Sequence, residues 1–439
     1  PLFILSYRSM FMKTEVKTSI EGLEVGMYVS RLDRPWIKTP FALKGLSIKS
    51  VDDIEKLRKY CSYVYVDVAK GSSPAPHYWI LMDGPGKNNQ PRQDLRHTKS
   101  ANTRPAGDDF TRARKTNYTT TTRFESELGT AKDICKDIND DLRRILSDLK
   151  QDRELDVETL KKGVSVLTES VARNPAAMMW VISLRKVDDY TYSRSLGTSV
   201  WCATFGRHLG LEKSSLETLA LGGLLLDVGK SRLPKELLQK SGPLNPQERR
   251  QMESHVDMGV KILEDSQNAP SGETIPIEVL KMVATHHERA DGSGYPQGLV
   301  NDEITLFGRI AGIVDSYDAM TNKCPYLKGE PMTPHAAITE LYELRDQKYQ
   351  SELIEQFIQA VGLYPTGSLV ELNTGEVGAV VAVNGLRRLR PSIVLLLDRN
   401  KEPLSEFVSM DLSQMSKDIS VSCGLTSGAY GIDMNELFL

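Results

Sequence analysis

The feature that most constrains the fold of this chain is a helical apolar pattern that runs from Phe124 to Leu363. Apolar side chains recur there three and four positions apart, the spacing that places them on one face of an α-helix. The breaks in the pattern are Asn174-Pro175, Gly242-Pro243 and the loop 268–275. Helices of this kind bury their apolar faces against one another. We therefore predict an α-helical bundle domain over residues 122–363.

Two dipeptides inside this region mark helix starts, Asn245-Pro246 and Thr333-Pro334. In each, a side chain that can cap backbone N–H groups precedes a proline whose ring suits the first helical turn. We therefore predict that one helix begins at Pro246 and another at Pro334.

The flanking regions follow other patterns. Residues 13–69 combine alternating strand-like stretches with one helical stretch and predict a small α+β accessory domain. Residues 70–121 are rich in Pro, Gly, Asn and Thr and predict a flexible linker with one short strand at 78–81. Residues 364–439 contain strand-like stretches joined by an Asn-Thr-Gly turn at 373–375 and predict a small β extension. The expected fold is mainly α.

The composition excludes several classes of protein. The 55 basic and 58 acidic residues give a net charge of −3, which provides no field for non-specific DNA binding. The five cysteines lie far apart without a CxxC pair, so a disulfide scaffold is not expected. No apolar run reaches the ~18 residues of a membrane span. We predict a cytoplasmic protein, with Met10 or Met12 as its natural start.

Two aspartates lie in very apolar surroundings, Asp227 in LALGGLLLDVGK and Asp315 in RIAGIVDSYDAM. Burial of an isolated carboxylate is very unfavourable, so each must be paired, capped or bound to a metal. For a single such aspartate, a salt bridge or a helix cap is the more common outcome. The interpretation changes because a histidine pair occurs in the same domain.

The chain has seven histidines, and five of them lie in the helical region, including His255, His286 and His287. Taken alone, His255 would be explained as a partly buried histidine with one hydrogen bond. Adjacent residues such as His286 and His287 point about 100° apart on a helix, but at a helix end both can lean towards one ion. Together with Asp227 and Asp315 they indicate a His/Asp metal centre, whose ligands suit Zn, Fe, Mn or Ni rather than Ca.

Neighbouring residues could complete this site. Lys230 shares a helix face with Asp227 and is equally well interpreted as a surface lysine or as a phosphate ligand. Asp318 follows Asp315 at the same spacing and could support the ligands from behind. The segment DGSGYP at 291–296 is a surface turn by itself. Because it follows the histidine pair and has two permissive glycines, it predicts one wall of a pocket.

These residues resemble the HD-GYP family of bacterial cyclic di-GMP phosphodiesterases. The motifs that carry the resemblance are YTYSRS, LGGLLLDVGK, ESHVDMG, THHERADGSGYP and RIAGIVDSYDAMT. Residues 13–69 also look like the family's accessory domain, and GSLVELNTGEVG looks like its C-terminal extension. The resemblance implies an HD-domain helical bundle and hydrolysis of cyclic di-GMP to pGpG or GMP. It also implies a cluster of two or three metals, usually iron or manganese.

The chain departs from the family pattern at the first metal. The resemblance assigns that metal two histidines, which Arg194 and Leu226 replace here, and the aspartates that match Asp227 and Asp315. Leucine cannot bind a metal, and arginine has a fixed charge and no lone pair to donate. In the family site, a second divalent ion and its bound hydroxide together contribute one positive charge. The guanidinium of Arg194 also contributes one positive charge, so the net formal charge of the site is unchanged. An arginine of the family is also replaced, by Cys324.

The second metal set is complete, so we predict one Fe or Mn ion per chain. The expected metal ligands are Asp227, His255, His286, His287 and Asp315. The expected ligand-binding residues are Arg194, Lys230, Gly294, Tyr295 and Lys328. Lys230 and Asp318, which the family retains, are the candidates for a catalytic role. Arg194 is expected to bind both carboxylates.

Three functions remain open at this point. The first and favoured hypothesis is a protein that binds cyclic di-GMP, with hydrolysis weak or lost. The second is an active phosphodiesterase that uses one metal. The third is a non-catalytic protein-interaction module. A signalling protein partner and a homodimer are also expected by resemblance to the family.

Overall fold

The computed structural model of this chain divides into two compact units, Pro1–Thr103 and Arg104–Leu439. The residues that it describes are 15–34, 39, 41, 45–67, 70–72, 74, 116–184, 190–240, 242–267, 274–322, 331–383, 389–426, 428–432 and 434. The predicted strand at 78–81 and most of the predicted linker lie outside them. Within these ranges, no helix has the length and apolar character that a membrane crossing requires.

The first unit is a four-stranded antiparallel sheet with one helix. Its elements are β1 (Glu15–Ser19), β2 (Tyr28–Leu32), β3 (Leu46–Ser47), α1 (Val51–Tyr60) and β4 (Tyr63–Asp67), with the strands in the order β1-β4-β2-β3. Ser50 and Asp53 form a capping box that starts α1. Ile54 and Leu57 of α1 share one apolar core with Val64 of β4. The predicted small α+β fold is confirmed.

The second unit contains the predicted helical bundle. Its helices are α2 (Phe124–Lys150), α3 (Val157–Arg173), α4 (Pro175–Ser183), α5 (Tyr190–Leu209), α6 (Lys213–Leu225), α7 (Lys235–Leu238), α8 (Pro246–Glu253), α9 (His255–Gln267), α10 (Ile277–Thr285), α11 (Leu306–Thr321), α12 (Pro334–Glu343) and α13 (Ser351–Val361). Both predicted helix starts are confirmed. Asn245 accepts hydrogen bonds from the backbone N–H groups at the start of α8, and Thr333 accepts one at the start of α12.

Helices α5 and α6 pack closely and in opposite directions. The hydroxyl of Thr198 donates to the carbonyl of Gly223 at 2.6 Å, and that of Ser199 donates to the carbonyl of Ala220 at 2.8 Å. A Cβ atom on Gly223 would lie only 2.8 Å from the carbonyl oxygen of Thr198, so glycine is required there. This register brings Arg194, one turn before Thr198, towards the residues that follow α6.

The C-terminal part is the predicted β extension, a five-stranded antiparallel sheet. Its strands are β5 (Leu369–Leu372), β6 (Val377–Ala382), β7 (Ser392–Leu397), β8 (Pro403–Asp411) and β9 (Val421–Leu425), in the order β8-β7-β6-β5-β9. The predicted turn at 373–375 joins β5 to β6, and Gly375 has a φ of +99° that favours glycine. The sheet packs against Trp180 of α4 through Leu369 and Val377.

The last residues of the predicted linker bond to the helical bundle. The backbone N–H of Thr116 donates to the carbonyl of Gly210 at 2.7 Å, and that of Thr121 donates to the carbonyl of Arg173 at 3.0 Å. Residues 116–121 are therefore part of the second unit's structure.

Candidate metal centre

Four side chains from three parts of the bundle converge on one point. They are Asp227, His255, His286 and His287, whose potential ligand atoms all lie within 4.8 Å of one another. Asp227 follows α6 and precedes a 3-10 turn, His255 begins α9, and the histidine pair directly follows α10. The helix-end position lets both members of the pair lean towards one point, as the sequence predicts.

Two of the histidines are oriented by backbone carbonyls. The Nδ1 atom of His255 lies 2.7 Å from the carbonyl oxygen of Met252, and that of His286 lies 2.8 Å from the carbonyl oxygen of Val283. A carbonyl can only accept, so each Nδ1 carries a hydrogen, and Nε2 is the ring nitrogen that remains available to a metal. Burial lowers the pKa of His286 to about 4, so this imidazole is neutral near pH 7. Neutral imidazole is the form that binds metals.

The donor atoms in the cluster fit a divalent ion. Nε2 of His255, Nε2 of His286 and Oδ1 of Asp227 are buried and have no hydrogen-bond partner in the described part of the chain. Most buried polar atoms in proteins are paired, and three unpaired acceptors pointing together are costly. One ion would satisfy all three at once. Three imidazoles and a carboxylate suit Fe, Mn, Zn or Ni.

The second oxygen of Asp227 is bound by cations instead. Lys230 Nζ donates to Asp227 Oδ2 at 2.7 Å, and Arg194 Nε lies 3.5 Å from the same oxygen. Arg194 also donates from Nη2 to Asp315 Oδ1 at 2.5 Å and is only 7% exposed. Asp315 stands outside the four-residue cluster, although its Oδ2 lies 3.8 Å from Nδ1 of His287. The guanidinium therefore joins the two carboxylates.

The charges of this network keep both aspartates ionised. Burial alone would raise the pKa of Asp227, but the charges of Lys230 and Arg194 hold that pKa well below its usual range. Burial likewise opposes ionisation of Asp315, and the Arg194 guanidinium lowers the pKa of that carboxyl. Two carboxylates can thus stay charged in the interior because a buried cation lies beside each of them.

The remaining predicted residues occupy different positions. Leu226 is buried directly before Asp227, and Asp318 is buried on α11 one turn after Asp315. The Tyr295 ring stacks on the His287 ring with 4.6 Å between centroids. Lys328 and Cys324 lie outside the described residues.

The loop 291–299 packs directly on the histidine pair. A Cβ atom on Gly294 would lie 2.5 Å from both the backbone nitrogen of Arg289 and the carbonyl oxygen of His287, so only glycine fits there. Sequence reasoning missed Glu288, whose buried carboxylate accepts backbone hydrogen bonds from this loop. Its position directly after the histidine pair is the one signal in the sequence that could have indicated it.

The contact between the 3-10 turn and α9 provides a test of the site's assembly. A Cβ atom on Gly229 would lie 2.5 Å from the backbone nitrogen of Gly259 and closer still to the carbonyl oxygen of His255. We expect Gly229→Ala to push Asp227 away from His255, to lower the free energy of unfolding by about 1–3 kcal/mol and to weaken Mn²⁺ binding by about 10-fold or more. Denaturant titration and calorimetry with Mn²⁺ measure the two effects.

The matched control is Gly129→Ala in α2, where an added Cβ meets nothing within 4 Å. That variant should bind Mn²⁺ as the natural chain does and should be more stable by about 0.5–1 kcal/mol. Equal Mn²⁺ affinity in the Gly229→Ala and Gly129→Ala variants would contradict the described packing.

Three protein-family models match this chain. Residues 176–353 match the HD domain, which contains all four residues of the cluster. Residues 15–160 match a domain of unknown function, DUF3391, and residues 369–419 match a KOW domain associated with the HD domain.

Known proteins with similar sequences include cyclic di-GMP phosphodiesterases. The chain is 28% identical over 392 residues to cyclic di-GMP phosphodiesterase PA4108 of Pseudomonas aeruginosa, which spans 89% of this chain and 87% of that protein. It is 35% identical over 153 residues to a cyclic di-GMP phosphodiesterase of Thermotoga maritima, which spans 34% of this chain and 39% of that protein.

A solved structure of Bd1817, a HDG"Y"P protein from Bdellovibrio bacteriovorus, also resembles this chain. The TM-score is 0.40 at 14% identity, over 78% of this chain and 98% of that chain. The mainly α fold and the resemblance seen in the motifs are both confirmed by the family matches and the helical bundle. The chain therefore contains an HD domain at residues 176–353, preceded by a DUF3391 match and followed by a KOW domain associated with the HD domain, and its sequence is similar to those of cyclic di-GMP phosphodiesterases.

Proposed function

We propose that this chain binds cyclic di-GMP at a site with one metal ion and that hydrolysis there is slow or lost. The observation that carries the proposal is the position of Arg194, which contacts both Asp227 and Asp315. Asp227 also belongs to the complete cluster of one aspartate and three histidines that could hold the ion. Relatives that are cyclic di-GMP phosphodiesterases support the choice of ligand. The ion we expect is Fe or Mn.

The proposal of slow hydrolysis follows from what a guanidinium cannot do. Two-metal phosphodiesterases use both ions to stabilise the attacking and the leaving oxygens. Arg194 supplies positive charge to Asp227 and Asp315, but it has no lone pair or vacant orbital with which to take part in ligation. The loss of one ion costs transition-state stabilisation, and each ~1.4 kcal/mol lost lowers the rate tenfold.

The chain's own residues still suit a phosphodiester. Lys230 and Arg194 supply the positive charge that attracts a phosphate group. Burial, with the charges of Asp315 and Asp227, raises the pKa of Tyr295, so its hydroxyl stays protonated and can donate a hydrogen bond to a phosphate oxygen. An ion held by Asp227 and the histidines would polarise a phosphoryl oxygen when bound.

The second candidate function is an active phosphodiesterase with one metal. The contact of Lys230 with Asp227 favours it, because a cation at that position can stabilise charge on a phosphate in the transition state. In this alternative, Lys230 and Asp318 keep the catalytic roles that the sequence suggests. The two candidates differ in rate rather than in ligand.

One set of measurements on the full chain separates the candidates. Protein loaded with Mn²⁺, or with Fe²⁺ under anaerobic conditions, is mixed with cyclic di-GMP, and calorimetry, elemental analysis and chromatography of pGpG and GMP follow. We expect one ion per chain, saturable binding and at least about 100-fold slower turnover than a two-metal enzyme assayed alongside. Cyclic di-AMP serves as the comparison ligand, and His255→Ala, which removes a metal ligand, serves as the control variant.

Each outcome decides between the hypotheses. Two tightly bound ions per chain would overturn the one-metal proposal. One ion with turnover equal to that of the two-metal enzyme would favour the second candidate. Absence of both metal and nucleotide binding would favour a protein-interaction module.

A further inference from the structure

A buried carboxylate beside the metal centre closes the loop 291–299. Glu288 is only 4% exposed and directly follows the histidine pair. Its Oε1 accepts a hydrogen bond from the backbone N–H of Gln297 at 2.7 Å, and its Oε2 accepts one from that of Leu299 at 3.0 Å. Charged acceptors form stronger hydrogen bonds than neutral ones, and both oxygens of this carboxylate are used. The far end of the loop is thus tied to the residue after the histidines.

The loop in turn contacts the ring of His287. The backbone N–H of Tyr295 donates to the carbonyl of His287 at 3.3 Å, and the Tyr295 ring stacks on the imidazole at an interplanar angle of 26°. Stacking with 4.6 Å between the ring centroids favours this relative orientation of the two rings. The loop therefore acts on His287 through Tyr295.

His287 depends on this contact more than the other two histidines do. Backbone carbonyls orient the rings of His255 and His286 through Nδ1. The described residues offer no such carbonyl to the ring of His287, whose Nδ1 lies 3.8 Å from the Asp315 carboxylate. Ligand histidines usually need a partner that holds the ring in place. Here the stacked tyrosine takes that role.

We propose that Glu288 is a positioning residue of the metal centre. By holding the loop 291–299 closed, it keeps Tyr295 on His287 and so aligns this imidazole with the other three donors. The proposal rests on the metal site that the proposed function assumes. It assigns Glu288 no contact with the metal or with the nucleotide.

The test compares two identical chemical changes in the same region. Glu288→Gln leaves one acceptor and turns an NH₂ group towards a backbone N–H, so one of the two hydrogen bonds is lost. Glu303→Gln is the matched control, because Glu303 accepts the backbone N–H of Val300 at 2.9 Å but is exposed. Hydrogen exchange of the full metal-free chain reports on the loop, and calorimetry with Mn²⁺ reports on the site.

We expect amides at 290–300 to exchange at least about 10-fold faster in Glu288→Gln than in Glu303→Gln, and Mn²⁺ to bind about 10–100-fold more weakly. Equal exchange in the two variants would overturn the closure of the loop by Glu288. Faster exchange with unchanged Mn²⁺ affinity would overturn the effect on His287. If the natural chain binds no Mn²⁺, the proposed function and the positioning role both fail, and exchange alone decides the closure of the loop.

A second pair of variants keeps the test decisive if Glu288→Gln folds poorly. Tyr295→Phe removes the hydroxyl but retains the aromatic ring on His287, so it is the reference against which the loss of the ring is measured. Tyr295→Ala removes the ring and should bind Mn²⁺ about 10-fold more weakly. Equal affinities in these two variants would overturn positioning through the stacked ring.

Discussion

The double variant Arg194→His, Leu226→His is expected to bind two divalent ions per chain and to hydrolyse cyclic di-GMP at least about 100-fold faster than the natural chain. The change replaces one guanidinium and one alkyl group with two imidazoles, which are metal ligands. Two ions can stabilise both the attacking and the leaving oxygens of the phosphodiester. A 100-fold gain corresponds to about 2.7 kcal/mol of transition-state stabilisation.

The structure supports the placement of both new imidazoles. Residue 226 directly precedes Asp227 at the end of α6 and is buried. The side chain at position 194 already reaches Asp227 and Asp315. Since the Thr198–Gly223 contact fixes the register of α5 against α6, the substitutions should leave the helix packing unchanged.

The control for this experiment is the single variant Leu226→His. It keeps Arg194 and is expected to bind one ion, as the natural chain does. Metal content is measured by elemental analysis, and product is measured by chromatography. A double variant that still binds one ion would overturn the proposed exchange of a metal for Arg194. Two ions without faster turnover would show that the pocket, rather than the metal count, limits catalysis.

Arg194→Met is expected to lower the free energy of unfolding of the metal-free chain by about 3–5 kcal/mol. Methionine fills a similar volume, but it removes the cation that Asp315 and Asp227 share. Breaking a buried ion pair leaves an uncompensated charge in the interior, and this costs more than the pair itself contributes. Urea or guanidinium titration in the presence of a chelator measures the loss.

The matched control is Arg144→Met on the surface of α2. Arg144 also contacts two carboxylates, those of Asp141 and Asp156, but its side chain is 50% exposed. Exposed pairs contribute about 0–1 kcal/mol because water and salt screen them. Similar losses in the Arg194→Met and Arg144→Met variants would contradict a central role for the buried network.

The helices and the turn at 373–375 were predicted from the sequence because local interactions determine them. The spacing of apolar residues from Phe124 to Leu363 indicated the bundle, whose last helix ends at Val361. Asn245 and Thr333 marked helix starts because their side chains bond backbone groups two or three residues away. Such contacts hardly depend on the rest of the fold.

The residue types of the candidate site were also recognisable in the sequence. A histidine pair at a helix end and an aspartate in an apolar segment are unusual enough to indicate a metal centre. The structure brings Asp227, His255, His286 and His287 together, whereas their roles as ligands stay predictions.

Only the tertiary structure decided which oxygen of each buried aspartate faces the histidines and which faces a cation. Asp227 directs Oδ1 towards the histidines and Oδ2 towards Lys230 and Arg194. Sequence analysis expects Arg194 to bind both carboxylates, and the structure pairs Asp315 with Arg194 across 121 positions of the chain but leaves Asp315 outside the histidine cluster. Contacts over such separations depend on how α5, α6 and α11 pack, and no local spacing specifies that packing. The sequence by itself determined the helices and the donor types, and the packing of helices decided which atoms meet.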